Sequence, residues 1–589
     1  MLVTTDEKGG VLRGMRLNAE FIDLVRTMPG RKRWRGRELA FELSASNIDF
    51  IRETWPEAVW ESVAEARRLE VEALRKHEDA MRQAKRGDVI SDAAFRYKTK
   101  PFDHQAKAFM LSRDKPVYAL LMEMGTGKTK VILDTAAYLW SANEIDTLVV
   151  VAPNGVHRSW IANQVPTHLP DWTNYKAAYY SSSARKNDRR KLEAALAHKK
   201  GLRVIALNVE MFSTQGGLDR FAGWFATRNG TANCKMMLVV DESTRIKSPS
   251  ANRARNVRKA GALAPYRRIM SGSPISKGVE DLYGQFTFLS PDILGFTTFT
   301  QFTMRYCIMG GFERREIVGY RNVDEIKKRI DAYSFRVTKA ECLDLPPKLY
   351  VEREVELTPE QRKAYSDLRD VAVTELQGQT ITTPQAITLL LRLQQIVCGF
   401  LPGAVDDGGR AGPLIELPSN RVDAVIDVLT ETQGKTIIWA RFKHDIDAIA
   451  RRLELEGYRH VVYFGDVSDS DRERAVNLFQ KDPRCVVFLG TPASGGLGLD
   501  LWAATTVIYF SNDFNAEVRW QSEDRAHRIG QKHPVTYVDL IAPNTIDRKI
   551  ARALKNKRNV ADMVLDPSVL LDDEGGDEGA GVAAAEVLS

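Results

Sequence analysis

Met122-Glu-Met-Gly-Thr-Gly-Lys-Thr-Lys130 follows a short apolar run, Val117-Tyr-Ala-Leu-Leu121, and opens into an amphipathic stretch, Val131-Ile-Leu-Asp-Thr-Ala-Ala-Tyr-Leu-Trp140. Strand, glycine-containing loop and helix in that order are the setting a phosphate-binding loop needs. Gly125 and Gly127, on either side of Thr126, let the backbone curl until several N–H groups face one anion, and the helix N-terminus adds partial positive charge. Lys128 is then placed to reach β- and γ-phosphates, and the Thr129 hydroxyl to help hold Mg²⁺. The full eight-residue pattern has Gly where Met122 stands, so the match is incomplete, and a structural turn is the competing reading. The rest of the chain decides between them.

The 589 residues predict three or four domains, and 44% apolar with 27% charged residues is ordinary for a globular protein. No run of 18 apolar residues occurs, so no membrane span is expected. The first residues lack the pattern of a signal peptide. Cys234, Cys307, Cys342, Cys398 and Cys485 are scattered and form no CxxC pair. That spacing predicts reduced thiols in a cytoplasmic setting and no zinc site. Net charge is +7, yet the end from Leu571 holds six acidic residues and no Lys or Arg; without those six charges the rest carries +13. A basic body suits a polyanionic partner.

Residues 1–60 read as a small α+β module. Phe21 to Met28 has helical spacing, stopped by Pro29-Gly30. Arg31-Lys-Arg-Trp-Arg-Gly-Arg37 and Glu38-Leu-Ala-Phe-Glu-Leu43 then predict a hairpin turning at Gly36. A helix is expected from Ser46, with Ser46 or Asn47 as N-cap. Arg31, Arg33 and Trp34 suit phosphate contact with a stacking aromatic; a solvated, charged hairpin edge is the plainer alternative. Pro56 to Arg86 reads as one long connecting helix. From Tyr97 short apolar runs alternate with helical stretches: Leu148–Ala152, Arg203–Leu207 and Met237–Val240, then Thr436–Ala440, Val461–Phe464, Val486–Leu489 and Val507–Phe510. These predict buried parallel strands in two α/β lobes. Residues 280–430 between them read as mostly helical.

Asp241-Glu-Ser-Thr244 directly follows the run ending at Val240. Magnesium on a triphosphate calls for a hard carboxylate at a strand end, which assigns Asp241, and Glu242 is placed to polarise the attacking water. Lys100-Pro-Phe-Asp-His-Gln105 offers Phe102 to stack on adenine and Gln105 to read its edge. Farther on stand Gly490-Thr-Pro-Ala-Ser-Gly-Gly-Leu-Gly-Leu-Asp500 and Gln521-Ser-Glu-Asp-Arg-Ala-His-Arg-Ile-Gly-Gln531. Arg525 and Arg528, three apart, are expected on one face of a helix, where guanidinium groups can meet a γ-phosphoryl group.

In order the chain reads EMGTGKT, VVVAPNGVHRSW, ALNVEMFS, DEST, SGSPISKG, LRLQQIVCGF, KTIIWARFKHDID, VYFGDVS, GTPASGGLGLDL and QSEDRAHRIGQ. This series resembles the Swi/Snf family of DNA-dependent ATPases, within superfamily two of the helicases, over residues 97 to 555. The resemblance implies two RecA-like parallel-sheet lobes with helical insertions, ATP and Mg²⁺ between them, and DNA along their shared face. It implies Lys128, Glu242, Arg525 and Arg528 as catalytic residues, with Arg525 and Arg528 as arginine fingers. Nucleotide contacts fall to Phe102, Gln105, Gly125 to Thr129, Asp241, Gly498, Asp500 and Gln521, and the metal to Thr129 and Asp241. Ser271, Gly272, Ser273 and Pro274 would couple hydrolysis to movement. Pro153, Asn208, Arg441, Gly465, Thr491 and Ser494 would face the DNA backbone. Two departures stand out: the family usually has Asp where Met122 stands, and Ala-His where this chain has Ser243-Thr244, a position that normally contacts the Ser271–Pro274 segment.

The first 60 residues are also similar to the HARP module of annealing helicases, which binds forked DNA. The resulting expectation is a HARP-like DNA-binding module at 1–60, a connecting helix at 61–96 and an ATP-binding lobe at 97–345. A linker with a helical insertion follows at 346–430, then a second lobe at 431–565 and a disordered acidic tail at 566–589. The implied function is a monomeric, ATP-driven translocase on duplex or forked DNA that rewinds or remodels it, in a compact prokaryotic or phage protein of the cytoplasm. Strand separation and protein displacement are the alternatives.

Overall fold

The computed structural model describes residues 1–6, 9–14, 19–28, 32–36, 38–86, 92, 94–180, 186–227, 232–276, 278–310, 316–378, 383–403, 412–495 and 499–555. Arg31, Gly498 and the acidic tail fall outside these residues. The chain divides into two compact units, parting after Cys342.

The first unit is built on a seven-stranded, wholly parallel sheet. Its order is Ser334–Val337, Val117–Met122, Tyr266–Met270, Met236–Asp241, Thr147–Ala152, Leu202–Asn208 and Tyr175–Tyr180. The Val- and Leu-rich central strands are buried on both faces, which is why they read as unbroken apolar runs. The missed strands have physical reasons. Ser334–Val337 and Tyr175–Tyr180 lie at the edges, and Tyr266–Met270 carries Arg267 and Arg268. Arg268 is fully buried, and its guanidinium donates to the carbonyls of Ser112, Lys115, Pro116 and Arg267. Residues 280–430 are mostly helical, as expected, but hold strands too. They contain Ser334–Val337, the hairpin Cys307–Gly310 with Glu316–Tyr320, and a strand of the second sheet, Lys348–Glu354.

The amino-terminal module folds on its own five-stranded sheet. The expected hairpin is present, Lys32–Arg35 against Glu38–Phe41, with Gly36 at φ +61°. Three strands were not foreseen: Leu2–Asp6, Gly9–Arg13 and the short parallel Val59–Trp60. Val59–Trp60 delays the long helix, which spans Ser62–Arg86 rather than starting at Pro56. The preceding helix, Ala45–Thr54, is capped by Ser44, not by Ser46 or Asn47; the Ser44 side chain accepts from Asn47 N. Val3, Leu12, Val25, Met28, Leu39, Phe41 and Ile51 form the module's core.

The Ser62–Arg86 helix fastens this module to the parallel sheet's helices. Arg75 pairs with Asp49 at 2.8 Å, Arg67 with Asp292 at 2.5 Å and Lys85 with Asp331 at 2.6 Å. A groove of about 1020 Å³ runs along it. Its charges answer one another, as Arg75 does Asp49 and Glu78 and Arg68 does Glu65 and Glu72, so it presents no net attraction to a polyanion.

The second unit holds six parallel strands in the order Lys348–Glu354, Val535–Ile541, Ala504–Tyr509, Lys435–Trp439, Val487–Gly490 and His460–Tyr463. Each unit is thus a parallel-sheet lobe of the RecA-like kind. In the second, Arg421 is buried where a helix meets the sheet: Nε donates to Phe510 O at 2.7 Å, Nη2 to Leu540 O at 2.5 Å, and Nη1 pairs with Asp547 at 2.7 Å. Arg421→Met removes these donors and leaves Asp547 buried without its cation, an expected loss of roughly 3 kcal/mol. Urea unfolding checks this: the midpoint falls while the slope m is unchanged.

Candidate functional site

The phosphate-loop sequence folds as a tight turn between the strand Val117–Met122 and the helix Lys128–Ser141. Gly125 and Gly127 take φ of +79° and +91°, the left-handed region that glycine alone enters without strain. A Cβ on Gly127 would lie 2.2 Å from Gln105 Nε2, so that amide would have to give way. Lys128 Nζ donates to Met122 O at 2.8 Å and Glu123 O at 3.3 Å, so the ammonium sits at the base of the loop. Thr126 Oγ1 donates to Glu123 O at 2.7 Å, and Thr129 is half-buried one residue into the helix.

Gln105 holds this loop. Its Nε2 donates to Thr126 O at 2.9 Å, and its Oε1 accepts from Phe102 N at 3.1 Å. His104, which sequence reasoning passed over, bonds the same Thr126 carbonyl through Nε2 at 2.8 Å. The amide expected to read adenine is therefore engaged with the loop, while the Phe102 ring is exposed and stacked parallel to His104, 5.9 Å between centroids.

Asp241 ends the strand Met236–Asp241 and Glu242 begins the turn, at φ +49°. A non-glycine residue there marks local strain of the kind found at functional turns. Asp241 Oδ1 accepts from Glu242 N at 3.0 Å, and Oδ2 from Trp160 Nε1 at 2.9 Å. Trp160 was not singled out from the sequence. An indole N–H inside a motif needs a buried acceptor, and that was the available signal. It lies in a π-helical turn, Trp160–Gln164, another local irregularity common at functional sites. The carboxylate of Asp241 and the hydroxyl of Thr129 are hard oxygen donors, as magnesium requires.

Register places these loops abreast. Met270 pairs with Asp241 on one side and Leu120 on the other. Parallel neighbours lie about 4.8 Å apart. The phosphate loop, Ser271–Pro274 and the acidic pair therefore share the carboxyl edge of one sheet, where open α/β sheets bind ligands. Gly272 packs on the phosphate loop itself; a Cβ there would be 3.0 Å from Met124 Cγ and 3.1 Å from Met124 N.

Pro153 and Asn208 follow the next two strands along the same edge. Asn208 Oδ1 caps a 3₁₀ turn by accepting from Met211 N at 3.2 Å, and Pro153 is buried, its carbonyl accepting from His157 N at 3.3 Å. His157 is fully enclosed, and burial first, with Arg158 adding to it, depresses its imidazolium to about 4. A folded pKa below the unfolded value means the unfolded chain binds the extra proton. Stability from this group is therefore present above about pH 6.5 and lost as pH falls toward 4. The expected result is that His157→Phe flattens the decline in stability between pH 6.5 and 4.5, measured by urea unfolding at each pH.

In the second unit Arg441, Gly465 and Thr491 also follow strand ends. Gly465 is exposed, and its carbonyl accepts from Arg472 at 2.6 Å. Thr491 and Ser494 bond one another across a short helical turn. The Arg441 guanidinium lies 3.9 Å from the Phe514 ring centroid and donates to Gln394 Oε1 at 2.9 Å, so neighbouring side chains orient it. Trp34 and Arg33 are exposed on their hairpin, whereas Lys32 Nζ caps a helix end through Val25 O and Met28 O.

Arg525 and Arg528 are not helical. The helix Ala516–Glu523 ends before them, and turns follow in which Arg525 N bonds Ser522 O and Ala526 N bonds Glu523 O. Three-residue spacing aligns i with i+3, so the two still converge. Arg525 Nη1 reaches Leu499 O at 3.2 Å and Arg528 Nη1 the same carbonyl at 2.9 Å, with Asp500 paired to Arg528. Gln521 is buried beside them, its carbonyl accepting from Arg525 Nε at 3.0 Å.

A parallel sheet with a lysine-bearing phosphate loop beside an acidic strand end, and a second parallel sheet after it, are the parts of a nucleoside triphosphatase. Residues 102–400 match the SNF2-related domain and residues 420–530 the helicase conserved C-terminal domain. The first match spans just over half the chain, which therefore belongs to the SNF2-related family. Its relatives include a Mus musculus "chromodomain-helicase-DNA-binding protein 1-like", 24% identical over 75% of this chain and 47% of that protein. An ATP-dependent helicase of Mycoplasma pneumoniae is 28% identical over 56% of this chain and 30% of its own length. The chain thus spans half or less of these relatives. Among solved structures, a Sulfolobus solfataricus SWI2/SNF2 ATPase core in complex with dsDNA is 22% identical, covers 82% of this chain and 96% of that one, and has a TM-score of 0.36. No helix among the described residues is long and apolar enough to cross a membrane.

Proposed function

We propose that the chain is a DNA-stimulated ATPase that uses hydrolysis to move along double-stranded DNA. The observation that carries this reading is the register that sets Lys128, Ser271–Pro274 and Asp241-Glu242 on three adjacent loops of one sheet edge. Lys128 binds the β- and γ-phosphates of ATP, Phe102 stacks on the base, and Glu242 orients the water. Asp241 and Thr129 would hold magnesium, which when bound would neutralise charge on the triphosphate. Asp500 and Gln521 flank Arg525 and Arg528, which answer the charge building on the transferred phosphoryl group. Family membership and a net charge of +7 support DNA as the partner. Pro153, Asn208, Arg441, Gly465, Thr491 and Ser494 belong to segments that hold phosphates, so sequence preference is weak and salt dependence strong.

Within that reading residues 1–60 act as a HARP-like module that favours forked DNA through Arg33 and Trp34, and the protein works as a monomer in a prokaryotic cytoplasm. The test is ATP turnover against duplex, single-stranded, forked and RNA ligands, with triplex displacement from duplex DNA to register movement. Duplex stimulation with displacement is the expected outcome; stimulation by single strands or RNA alone sinks the proposal.

A second reading, strand separation, has one observation in its favour. The hairpin Cys307–Gly310 with Glu316–Tyr320 exposes Ile308, Met309 and Val318, apolar side chains of the kind that wedge between bases. An unwinding assay with Ile308→Ser/Val318→Ser separates the readings. Loss of unwinding with displacement retained favours the wedge.

A further inference from the structure

Behind the acidic pair, one buried side chain bridges two loops. Ser243 Oγ donates to Gln285 Oε1 at 2.6 Å, and Gln285 Nε2 donates onward to Pro274 O at 2.6 Å and to Asp281 O at 2.8 Å. Ser243 and Gln285 are both fully buried. The partners fix the amide's direction, because two carbonyls demand the NH₂ and leave the oxygen for the hydroxyl. Gln285 lies on the helix Asp281–Leu289, which presses against the turn after the acidic pair: a Cβ on Gly284 would sit 2.4 Å from Ile246 O and 2.5 Å from Lys247 O. The same helix makes a second tie. Asp281 Oδ2 accepts from Ser276 N at 2.8 Å and faces Lys247 Nζ at 3.2 Å, while Lys247 also bonds Ser276 Oγ.

The turn carrying Glu242 and the segment Ser271–Pro274 are thus held to one rigid helix by matched donors and acceptors. A close-packed interior has no slack to absorb a shift at one end. Water cannot replace the bonds at a site closed to solvent. A change of the Glu242 turn must therefore drag Gln285, and with it Pro274.

We propose that Gln285 is a positioning residue that transmits a change at the Asp241-Glu242 turn to the Ser271–Pro274 segment, so that Ser243 and Gln285 together supply the link between hydrolysis and movement in this chain. The inference rests on the motor reading above and names its coupling element. Gly272, already packed on the phosphate loop, makes the moved segment a neighbour of the nucleotide as well.

Three full-length proteins test it: wild type, Gln285→Leu, and the double variant Ser243→Ala/Gln285→Leu. Each is measured for DNA-stimulated ATP turnover, for triplex release from duplex DNA per ATP hydrolysed, and for thermal midpoint. The single variant orphans the buried Ser243 hydroxyl and the Pro274 carbonyl and melts lower; the double variant removes the hydroxyl and recovers part of the midpoint. The expected result is that the double variant keeps turnover within about threefold of wild type, yet releases about tenfold fewer triplexes per ATP, a loss within the usual range of coupling between sites. A stable double variant that moves as far per ATP as wild type overturns the relay alone. A wild-type chain that hydrolyses ATP without displacing the triplex overturns the motor reading and the relay with it. Should Gln285→Leu fail to fold, the double variant, in which the Ser243 hydroxyl is gone and only the Pro274 carbonyl loses its donor, still decides the question.

Discussion

Glu242→Gln is expected to lower DNA-stimulated ATP turnover by about a thousandfold, the range for losing a general base, while nucleotide binding survives. The substitution keeps the size of the side chain and one acceptor oxygen but removes the negative charge that draws a proton from water. Glu242 stands at φ +49° after Asp241, whose Oδ1 accepts from its backbone N–H. That bond does not involve the Glu242 side chain, so the turn survives the change. Fluorescent-nucleotide titration and steady-state turnover on the same preparation check both halves. A variant that hydrolyses within tenfold of wild type sinks the assignment, and one that no longer binds nucleotide moves the role of Glu242 from chemistry to architecture.

The arginines should lose comparable amounts. Arg528→Ala is expected to reduce turnover by about a thousandfold, the lower range for an arginine finger. It should leave the melting temperature nearly unchanged, because the Arg528 side chain is 21% exposed and its ion pair with Asp500 is partly solvated. Arg525 differs. It is 7% exposed, donates to Gln521 O and Leu499 O, and its own carbonyl accepts from Leu501 N. Arg525→Ala should therefore lower both turnover and melting temperature. If the double substitution still turns over within tenfold of wild type, neither residue is a finger.

How much of this was legible follows from the range of the interactions involved. The central strands were readable because burial on both faces leaves short runs dominated by Val, Leu, Ile, Met and Ala. Tyr266–Met270 was not, since Arg268 donates to three carbonyls distant in sequence, and no local pattern announces that. The phosphate loop and acidic pair were read from their own residues. His104, Trp160 and Gln285 were not, because each reaches a segment 22 to 81 residues away. The helix expected to carry Arg525 and Arg528 failed for a local reason. Backbone bonds tighten to three-residue spacing at Ser522 and Glu523, and Tyr537 OH takes up the Glu523 carbonyl at 2.9 Å, so regular helix stops there. The two side chains met regardless, since the tighter pitch also stacks every third residue.

The Ser62–Arg86 helix has a consequence for whatever the Trp34 hairpin grips. Pinned along its length by Arg67, Arg75 and Lys85, it allows the hairpin no leash of its own. On the proposed function, a DNA junction held there would be towed in step with the phosphate loop, like a trailer on a drawbar rather than a boat on a rope. Cutting the pins should uncouple the trailer without stalling the engine.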